Sequence, residues 1–213
     1  MLDIRLHCGP LYVTLFFTYE VTMWSEESFV GGHLALDFLN TVGDTDKSRS
    51  ANLLTSPEAL LDWLAVSGTE GRDAKVTPPL QDDVDALIGF RELTHRVLSA
   101  SVSNRTPEPD DIQAFEAHIK SALGRAHLDL TVTPPPWIAT KVPAHHWIDR
   151  FVLLVDGFIR SPEAAKLRQC ERCSWFFLNS GRGRGRRWCN MSTCGNRHKV
   201  AAHRKRRQVN DKG

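Results

Sequence analysis

Four cysteines gather near the end of the chain. Cys170 and Cys173 are spaced C-x2-C, fifteen residues follow, and Cys189 and Cys194 are spaced C-x4-C. Two thiolates within one tight turn can reach the same ion, and a second pair returning from elsewhere completes a tetrahedron with sulfurs about 2.3 Å from the metal. That arrangement is the chemistry of structural zinc, because four protein ligands leave no position open for a catalytic water. A thioredoxin-like redox pair would follow a strand inside a βαβ unit, and no such unit is visible. Buried thiols without metal are the plain alternative, and a strongly charged segment with little core of its own argues against them. His198 and His203 could replace one cysteine pair, at the cost of leaving two thiols unexplained. The expectation is one structural Zn2+ ion held by Cys170, Cys173, Cys189 and Cys194.

The same segment is the basic end of a polarised chain. The net charge over 213 residues is only +2, yet residues 161–213 hold 14 Lys/Arg and three acids, a net of +11, which leaves −9 on residues 1–160. A basic tail on an acidic body points to a polyanion as the tail's partner. Dense Lys and Arg bind phosphate by counterion release, without sequence preference, whereas specificity needs side chains that reach base edges. If residues 196–208 are helical, Arg197, Ala201, Arg204 and Gln208 share one face, where the arginines can fork onto guanine and the glutamine can pair with adenine. Arg182, Arg184, Arg186, Arg187, Lys199, Lys205 and Arg206 then fall mostly to phosphate, with Arg207 in the same DNA-binding set. Duplex DNA is the expected partner. RNA is the rival, because "GRGRGRR" is similar to arginine-glycine segments that track single strands, and Trp175, Phe176 and Phe177 could stack on bases. Aromatic residues at strand spacing are more often core, and a finger this small needs Trp188 and at least one of those phenylalanines for its own packing.

Catalysis finds little support. His145 and His146 are adjacent, and neighbours on a helix point apart; Asp44 and Asp46 lie in a polar turn. In "GGHLALDFLNT", the polar His33, Asp37, Asn40 and Thr41 interleave with Leu34, Leu36 and Phe38. Capping and buried hydrogen bonds account for them; a ligand pocket in a sensor domain is the sharper alternative. The reading is therefore a non-enzyme, with an enzyme carrying a structural zinc as a distant third after the RNA-binding alternative. The apolar run Leu11–Phe17 is too short to span a bilayer and has neither a basic leader nor a cleavage site. Clustered rather than scattered cysteines fit reduced thiols and a cytoplasmic protein without a membrane partner.

These residues need elements to hold them. Four amphipathic patterns read as helices. The first is "TSPEALLDWLAVSG", with Thr55 and Glu58 at capping-box spacing; "LQDDVDALIGFRELTHRVLSA" follows. Then come "DDIQAFEAHIKSALG", with Gly124 as its expected C-cap, and "HHWIDRFVLLVDGFIR". "HLDLTVTPPPWIATKV" reads as a short hairpin or extended arm. In the basic segment, "SWFFLNS" and "RRWC" read as two strands around a glycine-rich turn, followed by a helix capped at Asn196, a treble-clef-like layout. The expected fold is mostly α (α+β): an extension outside the fold over 1–22, a helical domain over 23–160 and a zinc finger over 161–213. Dimerisation through the helical body would enlarge the small interface that one finger can make.

"RRWCNMSTCGNRHK" resembles the signature of CGNR-type zinc finger proteins, whose tetrapeptide is here Cys194-Gly195-Asn196-Arg197. "FVGGHLALDFLNT", residues 29–41, resembles the start of the ABATE domain that accompanies this finger in stress-induced transcription regulators. The resemblance runs from about Phe29 to Arg207, with one departure, Asn179 in place of an aspartate. It implies a bacterial DNA-binding regulator.

Overall fold

A computed structural model describes residues 24–43, 46–69, 77–179 and 185–210. The extension expected over 1–22 lies outside them. Among the described residues helices dominate, as the apolar periodicity requires, and every sheet has two strands.

The first helix, α1 (Leu34–Leu39), has one turn and a half, and its residues from Ala35 to Leu39 are all buried. So short a helix is not stable on its own. Packing holds it: the Phe38 ring lies 4.5 Å from that of Phe151 on α5 (Pro143–Ile159). His33 caps it, Nδ1 accepting from the Ala35 N–H at 3.1 Å. Next comes α2 (Pro57–Val66), whose cap differs from expectation: Ser56 Oγ accepts from the Ala59 N–H, and Pro57 takes the first helical position, where its missing N–H costs nothing. Thr55 stands one residue too early.

α3 (Gln81–Val102), α4 (Pro109–Arg125) and α5 pack against one another through Val84, Leu87, Phe90, Phe115, Ala122, Phe151 and Val155. Gly124 does not cap α4, which continues to Arg125 and leaves through an extended Ala126, so no left-handed residue is needed. The chain enters the short antiparallel hairpin of β3 (His127–Leu128) and β4 (Trp137–Ile138). An earlier two-stranded pair, β1 (Val42–Gly43) with β2 (Ala51–Asn52), follows α1.

In the basic segment, β5 (Leu167–Gln169) pairs antiparallel with β6 (Phe176–Leu178), with Leu167 opposite Leu178 and Gln169 opposite Phe176. The strand expected at "RRWC" is not formed: residues 186–189 are irregular, and the partner of β6 precedes the first cysteine pair instead of the second. A π-helical turn, Met191–Gly195, leads into α6 (Asn196–Asn210). The cap of this unit is Asn190, whose side chain accepts from the Ser192 N–H at 2.8 Å, so Asn196 lies within the helical run and does not cap it.

The core runs through residue 161, where the charge changes sign. Leu167, Phe176 and Leu178 are buried in the same cluster as Leu36, Phe38 and Phe158. A second, smaller cluster contains the four cysteines and Phe177, flanked by Val30, Trp175 and Trp188. Alternation along β6 sends Phe176 to one cluster and Phe177 to the other.

Candidate functional site

The turn between β5 and β6 presents the first cysteine pair. The Cys170 N–H donates to the Trp175 carbonyl at 2.9 Å, closing the turn, and the Arg172 N–H points at Cys170 Sγ at 3.4 Å. The Asn190-capped turn presents the second pair, and the Glu171 N–H donates to the Arg187 carbonyl at 3.1 Å to join the two arms. The four cysteines are free and buried, and their sulfurs all lie within 4.8 Å of one another.

Cys173 and Cys189 Sγ are 3.6 Å apart, and Cys189 and Cys194 Sγ 3.7 Å. A tetrahedron with arms of about 2.3 Å has edges of about 3.8 Å, whereas a disulfide needs about 2.05 Å. The spacing is that of ligands around an ion. Crowding also splits the thiols: hydrogen bonds from Cys173 and Cys189 pull the Cys170 thiol far below its ordinary pKa, while the same contacts push Cys173 and Cys189 up. A soft divalent cation removes the conflict by stabilising all four thiolates together. The residues fit a metal ion fully closed by protein.

The arginines beside this centre are already engaged. Arg186 donates to the carbonyls of Cys189 and Val30, and its guanidinium lies 4.4 Å from the Phe177 ring centroid. Arg187 pairs with Glu171 and lies over Trp188. Both residues remain exposed, although part of the Arg186 fork serves backbone carbonyls and the Arg187 charge is paired.

The cations of α6 are placed differently. Arg197, Lys199, Arg204, Arg206 and Arg207 are exposed, and none is in an ion pair among the described residues. Arg197, Ala201 and Arg204 fall on one face at helical spacing, and the backbone of Gln208 continues it. Lys205 and Gln208 have helical backbone but side chains outside the described set, and Arg182 and Arg184 lie outside the described residues. Arg197 also lines a cleft of about 490 Å³ with Asp46, Ser48, Ser50 and Thr193, next to the cysteines.

The aromatic platform imagined for RNA is not available. Phe176 and Phe177 are both fully buried, and Trp175 is held by a hydrogen bond from Nε1 to the Val42 carbonyl at 2.8 Å. Trp188 is partly buried against the cysteine cluster, the packing role expected of it.

His33, Asp37, Asn40 and Thr41 are internally bonded along α1. His33 caps the helix with its ring 4.8 Å from that of Phe158, and burial lowers its pKa. Asp37 accepts from the Gly31 N–H at 2.8 Å, and burial raises its carboxyl to about 6. Gly31 must lack a side chain, because a Cβ there would sit 2.8 Å from that of Leu36 and 2.9 Å from the Asp37 carboxylate. Asn40 bonds the backbone of Phe176, and Thr41 donates to the Phe38 carbonyl while accepting from Arg91.

A buried charge network escaped sequence reading. Arg49, in a left-handed backbone conformation (φ 56°), donates to Glu92, to the Leu39 carbonyl and to Ser174 Oγ beside the first cysteine pair. Arg91, 1% exposed, donates to Glu92, Thr41 and Asn52. Burial works to raise the Glu92 carboxyl, but the two guanidiniums outweigh it and hold the pKa low. The available signal was Arg91 itself, which falls on the apolar stripe of α3 with Val84, Leu87 and Leu98.

A family model described as ABATE, putative stress-induced transcription regulator, matches residues 32–169, and one described as CGNR zinc finger matches residues 166–207. No curated protein matches the chain. Among the described residues, no helix is long and apolar enough to cross a membrane.

Proposed function

Since the chain belongs to the ABATE family of putative stress-induced transcription regulators and ends in a CGNR zinc finger, we propose that it is a zinc-dependent, DNA-binding transcriptional regulator. The observation that carries this reading is α6: six Lys/Arg and no acid in fifteen residues, rooted in the turn that bears Cys194 and exposed along its described length. A helix anchored at one end and basic along its length suits a major groove, with phosphates on either side of it.

Arg197 and Arg204, with Gln208, take the base edges. Lys199, Lys205, Arg206 and Arg207, together with Arg182 and Arg184, take phosphate. Arg186 and Arg187, already engaged with protein groups, are secondary members of that set. The ion is Zn2+, chosen by four thiolates, and it fixes the turn from which α6 departs; its closed shell gives the metal a structural role and not a catalytic one. Residues 23–160 form the regulatory body and residues 161–213 the finger. The polar groups along α1 tie the two together in this reading. Two copies, joined through the body, give the affinity that one finger lacks, and reduced cytoplasmic thiols keep the site ready for metal.

The test is selection of binding sites from a randomised duplex pool near physiological salt, with metal and again after chelation. A motif enriched only with metal is expected, and its symmetry reports the number of copies bound. Binding without enrichment, or binding indifferent to chelation, would reduce the helix to a polycation. Tight single-strand binding without duplex preference would transfer the function to RNA.

A further inference from the structure

Arg186 sits where three parts of the chain meet. Nη1 donates to the Cys189 carbonyl at 3.1 Å, Nη2 donates to the Val30 carbonyl at 2.9 Å, and a longer contact of 3.5 Å reaches the Leu178 carbonyl. The guanidinium carbon lies over Phe177, 4.4 Å from the ring centroid, and Phe177 is itself packed among the four cysteines. The Arg186 backbone is pinned too, its N–H donating to Asn179 Oδ1 at 3.3 Å. The preceding Gly185 has φ 67°, and a Cβ there would collide with the Asn179 side chain. The chain is thus turned sharply here, which lays the guanidinium against Phe177 while the residue keeps an exposed side.

We propose that Arg186 is a positioning residue for the metal centre, clasping the Cys189 arm to the Val30 loop of the body and so setting how tightly the ion is held. The planar guanidinium carries five donors in a fixed fork, enough to serve several carbonyls from one position. Groups that orient a ligand from outside the coordination sphere change affinity without touching the ion. Through the same fork, ion occupancy is linked to the seating of the Phe29–Gly32 loop, the start of the ABATE motif, against the finger. Arg187 provides the contrast: it is one residue away with equal charge, but its partner is an exposed glutamate. This inference rests on the metal reading of the four cysteines.

A positive charge near a tetrathiolate centre would by itself favour the ion, so the fork must be separated from the charge. Co2+ serves as the spectroscopic probe of a four-sulfur site, and Zn2+ affinity is measured by competition with a coloured chelator, on the full chain and on R186A, R186K and R187A. The expected result is a 10- to 100-fold loss of affinity in R186A, of the order seen when such an orienting partner is removed. R186K recovers little of it, since lysine keeps the charge and loses the fork. R187A stays within about fivefold of the parent, as an exposed ion pair should. Parent-like affinity in R186A, or full recovery in R186K, overturns the proposal. If R186A does not fold by circular dichroism, R186K against the parent decides alone. A parent chain that gives no tetrathiolate cobalt spectrum fails differently, because it removes the metal reading on which the clasp depends.

Discussion

Asn40 and Phe176, 136 residues apart, exchange two hydrogen bonds: Asn40 Nδ2 donates to the Phe176 carbonyl at 2.9 Å, and the Phe176 N–H donates to Asn40 Oδ1 at 2.8 Å. On its other edge β6 is paired with β5. A buried strand edge must find partners for its backbone groups. Here an amide side chain at the end of α1 imitates a neighbouring strand, and the Gly31 carbonyl extends the imitation by accepting from the Leu178 N–H at 2.8 Å. The α1 segment is in effect the missing third strand of the finger.

Asn40→Ala is therefore expected to leave a buried N–H and a buried carbonyl without partners. Each such group costs about 1–3 kcal/mol, so urea unfolding should show a loss of about 2–6 kcal/mol. A variant as stable as the parent would return Asn40 to the ligand-pocket reading.

Asp37 gives a pH signature. Burial raises its pKa from 3.8 to about 6 in the folded state. The folded protein therefore holds this proton more tightly than the unfolded chain. Its contribution is fully present below pH 3.8 and is lost as the pH rises to about 6. The two-unit shift corresponds to about 3 kcal/mol. Asp37→Asn keeps an acceptor for Gly31 and removes the titration, so the difference in stability between variant and parent should grow in the variant's favour between pH 4 and 6. A difference that does not change with pH over that range would mean that the carboxyl is not shielded from water.

Metal removal should affect the whole molecule. Because Phe176 and Leu178 belong to the body's core, chelation is expected to lower a single cooperative melting transition. An ion held at 100 times its dissociation constant contributes about 2.7 kcal/mol. Two separate transitions, with the body's unmoved, would show that the finger folds independently despite the shared core.

Among the α6 cations, base readers and phosphate contacts should separate. Lys199→Ala is expected to weaken duplex binding for all sequences alike and to reduce the slope of log K against log salt by about 0.9. Arg204→Ala should instead relax preference at one base pair, at a cost of about 1–3 kcal/mol for the cognate site. Equal losses on cognate and random duplexes would assign Arg204 to phosphate.

Much of this was legible in the chain. Leu60, Trp63 and Leu64, or Phe151, Val152 and Val155, announce their helices because an apolar face repeats every 3.6 residues. The four-cysteine cluster was legible for a related reason: cysteine spacings constrain local turns, and local turns are written locally. What was missed depended on distant partners or, at the helix caps, on a shift of one or a few residues. The pairing of β6 with β5, and not with "RRWC", is decided by Leu167 joining the core beside Leu178, which no pattern within residues 174–189 encodes. Ser56 capped in place of Thr55 because of which hydroxyl faced the Ala59 N–H, a matter of one residue in backbone angle.

By itself the sequence determined the helical class, the four-cysteine site and the asymmetry of charge, because each rests on composition or short-range spacing. Tertiary structure alone decided how those parts join. It divided identical arginines between duties, setting Arg186 against Phe177 and the Cys189 carbonyl while Arg204 is in no ion pair among the described residues. It buried Arg49 and Arg91 around Glu92, and it paired Asn40 with Phe176. A charge or an amide carries no record of its partner along the chain; its role is set by the burial and the donors that folding brings to it from far away.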